Sequence, residues 1–91
     1  MVVYYWTNYK PKDTDTQYKR KHKLLEQVFD YCKECGIEYH PINDLSHLIL
    51  HVAISTKFNE NYLIVSERLD DLPKIKEEFT FKTIKELLDN K

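Results

Sequence analysis

The sequence predicts an α+β fold: a two-layer sandwich in which a mixed four-stranded sheet is covered mainly on one face by helices. The expected element order is β-α-β-β-β-α-α. Three observations carry this expectation. Leu48-Ile49-Leu50-His51-Val52-Ala53-Ile54 is the only long apolar run, and its β-branched residues favour a buried strand. A capped stretch of helical periodicity precedes it, and shorter β-branched or alternating stretches flank both.

Taken in order, residues 2–7 (Val-Val-Tyr-Tyr-Trp-Thr) have strong strand propensity and predict a first strand. Residues 8–15, with Pro11 and two Asp, read as a loop. Thr14 followed by Gln17 is a capping-box signature, so a helix should begin there. Leu25, Val28, Phe29 and Cys32, flanked by Tyr18, Leu24 and Cys35, form its apolar stripe, and Gly36 stands where a left-handed cap belongs. Residues 37–42 alternate and predict a second strand, at a sheet edge because of Pro41.

Asn43-Asp44 reads as a turn into a central strand at 47–55. Its alternation would place Leu48, Leu50, Val52 and Ile54 on an apolar face, with His47, Ile49, His51, Ala53 and Ser55 on the other, mixed face. Residues 57–61 are of hairpin-connection length, and 62–66 form a further strand. Asp70 or Asp71 caps a short helix with Pro73 in its first turn, pointing Leu72, Ile75 and Phe79 inward. Phe79-Thr80-Phe81 reads as briefly extended, and Thr83 with Glu86 caps a last helix whose inner side is Ile84, Leu87 and Leu88. The first helix connects parallel strands in this reading, while the later strands pair antiparallel.

Ninety-one residues without repeats or linkers correspond to a single domain, 1–91. One glycine, where average usage predicts about six, leaves no Gly-rich phosphate loop, dinucleotide fingerprint or G-x-S-x-G turn. Nucleotide-dependent enzymes and α/β-hydrolases are thereby set aside. No basic-flanked apolar segment opens the chain, and the two cysteines offer no disulfide framework, so the expected compartment is the cytoplasm. The net charge of −1 is unevenly spread: residues 1–25 carry six Lys/Arg against two Asp, and 26–91 carry eight against thirteen acidic residues.

Cys32-x2-Cys35-x11-His47-x3-His51, with Tyr39 and Leu45 between, resembles the two-cysteine, two-histidine zinc finger. The resemblance covers about a quarter of the chain, and its middle spacer is one residue short. Here the cysteines end a helix rather than sit on a hairpin. Histidines four apart on a strand lie about 13 Å from each other, too far to share one zinc. A redox role for the same pair is disfavoured, because thiols are activated at the start of a helix and not at its end. The carboxylates Glu67, Asp70 and Asp71, with Glu60 and Asp44 elsewhere, could be imagined holding magnesium, yet capping and solvation explain them.

Leu69-Asp70-Asp71-Leu72-Pro73-Lys74 after an apolar strand is similar to the L-D-R-L-x-R segment of serine recombinase catalytic domains. Asp71 stands where that family places a catalytic arginine, Lys74 replaces the second, and residues 3–8 lack Y-x-R-x-S. The resemblance implies at most an inactive relative and is not adopted.

Lys10, Lys12, Lys19, Arg20, Lys21 and Lys23 crowd the loop and first turns of the helix, with Trp6 and Tyr9 close in sequence. Cations serve phosphates and rings serve base stacking, so this stretch is a candidate nucleic-acid face. The expectation is a small non-catalytic binding protein without cofactors, of a kind found in viruses or mobile elements. The alternative is a protein-binding inhibitor or modulator acting through an exposed sheet edge, an aromatic patch or the acidic C-terminal half. A zinc-stabilised module on Cys32, Cys35, His47 and His51 ranks below both. A bare strand edge would also allow a homodimer.

Overall fold

The structure, a computed structural model, describes residues 1–72 and 79–89. Strand β1 (Val2–Trp6) leads through α1 (Asp15–Cys35) to β2 (Glu38–Ile42), and α2 (Leu45–Lys57) leads on to β3 (Tyr62–Ser66). A single 3-10 turn (Leu69–Asp71) follows, then β4 (Phe81–Thr83) and α3 (Ile84–Leu88). The four strands form one sheet in the order β2-β1-β3-β4. The combination of a four-stranded sheet with helices agrees with the sequence. Two expectations about its layout do not.

The first correction concerns residues 47–55, which are helical and not a central strand. Asp44 is an N-cap and not a turn residue: its carboxylate accepts from the His47 N–H at 3.1 Å. A continuous apolar run of this length cannot be told from a buried helix segment by periodicity alone. Thirteen helical residues exceed the usual five or six of a strand.

The second correction follows from the first. With α2 as a crossover, β3 pairs parallel to β1, and β4 pairs parallel to β3, so the sheet is all parallel and not mixed. Helices also cover both faces. Val3 and Tyr5 point to α1 and α3, packing with Val28, Tyr31, Cys32, Ile84 and Leu87. Val2, Tyr4 and Trp6 point the other way, onto Leu48 and Val52 of α2. Burial on both faces explains why β1 is apolar at every position.

Local signals worked where chemistry fixed them. Both capping boxes, Thr14 with Gln17 and Thr83 with Glu86, are formed, and Gly36 closes α1 at φ +66°. Strand β2 is an edge strand, where Pro41 costs no ladder bond. Leu69–Asp71 forms a 3-10 turn; the expected helix beyond it, with Pro73 and Ile75, falls outside the described residues. No helix among the described residues is long and apolar enough to cross a membrane.

Candidate functional site

Among the described residues, helix α2 is anchored by one side and bare on the other. Leu48, Val52 and Ser55 are its buried residues. The Ser55 hydroxyl is hydrogen-bonded to the Tyr4 hydroxyl, which also donates to the His51 carbonyl at 3.2 Å. Burial raises the Tyr4 phenol above its ordinary value, and the bond to Ser55 offsets part of that rise. The His51 ring lies 5.3 Å from the Tyr4 ring and stacks on His40 at 5.4 Å, tying the helix to edge strand β2.

The outer side of α2 presents Leu45, Ile49, Leu50, Ile54 and Phe58, exposed by 39%, 46%, 57%, 43% and 70%. Ala53 is exposed between them. These values amount to about two and a half whole side chains, on the order of 400–500 Å² of apolar surface, near the top of what monomers leave in water. Residues 45–56 contain no Asp, Glu, Lys or Arg. Beside this ridge runs a groove of about 610 Å³, lined by Ile49, Val52, Ala53, Thr56, Lys57, Tyr62 and Phe79.

The basic stretch is dispersed by the fold. Lys21 is buried: its ammonium donates to the Asn8 carbonyl and to both Asp13 oxygens at 2.8 Å, clamping the β1–α1 loop. That contact, with the Lys10 backbone N–H, holds the Asp13 carboxyl below its usual range. Arg20 pairs with Glu67. Trp6 is buried on the α2 face, and its indole Nε1 has no hydrogen-bond partner among the described residues. Lys10, Lys12, Lys19 and Lys23 remain exposed. Near them Tyr9 stacks on Tyr18 at 5.1 Å and Tyr18 on His22 at 6.1 Å, a three-ring stack whose middle ring is half exposed.

The zinc-like set is divided by the sheet. Cys32 is buried against the α1 side and Cys35 is exposed at the end of α1. His47 and His51 ride on α2, across the sheet and one helical turn apart, not 13 Å apart on a strand as the sequence suggested. Among the described residues no three His, Cys, Asp or Glu side chains converge as metal ligands. Glu67 is occupied by Arg20, and Asp70 and Asp71 lie in the 3-10 turn.

Sequence reasoning missed the α2 ridge because the strand reading sent Leu50 and Ile54 inward with Leu48 and Val52. The signal that would have found it is Asp44 as an N-cap ahead of Leu45, Leu48, Ile49 and Val52 at helical spacing. No family model matches the chain, and no curated protein or solved structure matches it significantly.

Proposed function

We propose that this chain is a non-catalytic association module whose recognition element is the outer side of α2. The observation that carries the reading is the apolar ridge of Leu45, Ile49, Leu50, Ala53, Ile54 and Phe58, with Lys57 over the Phe58 ring as its one cation, exposed on a helix whose other side is well anchored. Exposed apolar area of this size marks an interaction site when it is contiguous. A partner that fits it presents an uncharged apolar helix or ridge of its own, because a charge set against it would be desolvated without a counter-ion. The test is recovery of partners from native lysate with nuclease treatment, using wild type and Leu50→Glu side by side. Binding that survives nuclease and is lost in Leu50→Glu supports the reading. Equal recovery with both chains, or recovery of nucleic acid alone, contradicts it.

The second reading is nucleic-acid contact at the start of α1. It is favoured by the Tyr9–Tyr18–His22 stack with Lys19 and Lys23 beside it, since a half-exposed ring among cations suits a single strand. Trp6, Lys21 and Arg20 do not contribute to it, being buried or paired. In this reading Tyr18→Ala weakens binding to single-stranded DNA or RNA, and affinity falls steeply with salt. Unchanged affinity in Tyr18→Ala excludes it.

A further inference from the structure

From the placement of two histidines on α2 we infer that His47 and His51 form a two-imidazole chelate for a divalent late first-row metal ion, nickel or zinc. The inference goes beyond the association reading and needs neither the apolar ridge nor a partner. Residues 47–55 are helical, and that geometry is what brings the two rings within reach of one ion. Positions i and i+4 lie one turn apart on the same side of a helix, with about 5–6 Å between Cβ atoms. Helical side chains also lean toward the N-terminus, so the His51 ring is carried back over the turn that bears His47. At this spacing two histidines of one helix can share a metal ion.

The surroundings of the pair suit a ligand role. The His51 ring is positioned by the Tyr4 ring at 5.3 Å and the His40 ring at 5.4 Å. These contacts orient the imidazole without consuming a lone pair. Among the described residues no ring nitrogen of His47 or His51 is hydrogen-bonded: His47 binds through its backbone N–H and His51 through its carbonyl. The other two histidines are engaged, His22 with Glu26 at 3.0 Å and His40 with Glu38 at 3.5 Å. His47 is exposed, so an ion reaches the pair directly from solvent.

Charge points the same way. Residues 45–56 carry no Lys or Arg to repel a cation. Asp44 caps the helix at the His47 N–H, and Glu38 lies beside the ring that stacks on His51. The donor type selects the metal: imidazole suits nickel, copper and zinc, whereas magnesium and calcium prefer oxygen. Among the described residues no third side chain completes the set. The remaining positions therefore go to water, which makes the site open and its occupancy reversible.

Nickel chloride titrated into the full chain, followed by calorimetry and by nuclear magnetic resonance of the amides and imidazoles, tests the inference. Wild type should take up a single ion, whose paramagnetism broadens the resonances of His47 and His51 first. Zinc chloride should compete with it and magnesium chloride should not. His47→Gln is at an exposed position, and His51→Phe keeps a ring against Tyr4 and His40, so both should retain the wild-type circular dichroism. Each should weaken nickel binding at least about 10-fold, since even partners outside a metal's own ligands cost that much. His22→Gln and Cys35→Ser should bind as wild type does. Broadening centred on His22 or Cys35, an affinity that both α2 variants leave unchanged, a loss in either control, displacement by magnesium, or no uptake at millimolar nickel overturns the inference.

Discussion

The hydroxyls of Tyr4 and Ser55 are hydrogen-bonded to each other between β1 and α2, both side chains being buried. Together with the packing of Leu48 and Val52, this contact holds one side of α2 to the sheet. Tyr4→Phe leaves the Ser55 hydroxyl buried without that partner, and Ser55→Ala leaves the phenol only its bond to the His51 carbonyl. Each change should cost about 1–2 kcal/mol, and the double variant less than their sum, because the second removal strands no group. Urea unfolding of the three variants measures the coupling; strict additivity would contradict it.

Gly36 ends α1 at φ +66°, and a Cβ placed there meets nothing within 4 Å. The cost of Gly36→Ala is therefore the left-handed backbone alone, about 1 kcal/mol, with Gly36→Asn losing less. Denaturant midpoints for the pair check this, and an alanine variant as stable as wild type would refute it.

Alkaline pH should destabilise the fold. Burial, with the nearby Cys35, pushes the Cys32 thiol up to about 11, and burial likewise raises the phenols of Tyr4, Tyr5 and Tyr39. A group whose folded value is raised contributes stability that is intact below its unfolded value and lost as pH climbs through the folded one. For Cys32 that window runs from the ordinary 9.0 to about 11. The loss from this thiol alone is about 2 kcal/mol, so melting temperature should fall across the window. A flat profile would contradict the burial of these groups.

The two thiols should also differ in reach. Cys35 is exposed and Cys32 fully buried. Ellman's reagent should titrate one thiol per native chain at neutral pH and the second only after unfolding. Prompt reaction of both would mean that α1 does not lie on the sheet as described.

The parts of the fold legible in the sequence are those with a local chemical signature. Thr14 and Gln17, Gly36, and Thr83 and Glu86 each announce a helix end through a hydrogen bond or a dihedral that few residues can supply. Residues 47–55 were not legible, because Ile49, Val52 and Ile54 carry strand propensity while their helix is held by tertiary contacts of Leu48, Val52 and Ser55. That one choice also set the sheet's direction, since parallel strands need a crossover that the strand reading used up. On the basic stretch, composition correctly showed cations near aromatics. It could not show that Lys21 would be drawn inward to Asn8 and Asp13, or Trp6 turned to the opposite face.

The most direct test of the α2 ridge as the contact surface compares amide nuclear magnetic resonance spectra of the isotope-labelled chain before and after addition of nuclease-treated native lysate. The account predicts shifts or broadening concentrated at Leu45, Ile49, Leu50, Ala53, Ile54 and Phe58, with α1 and the β2 edge unchanged. Changes that instead fall along β2 or the start of α1, or spectra identical with and without lysate, would contradict it.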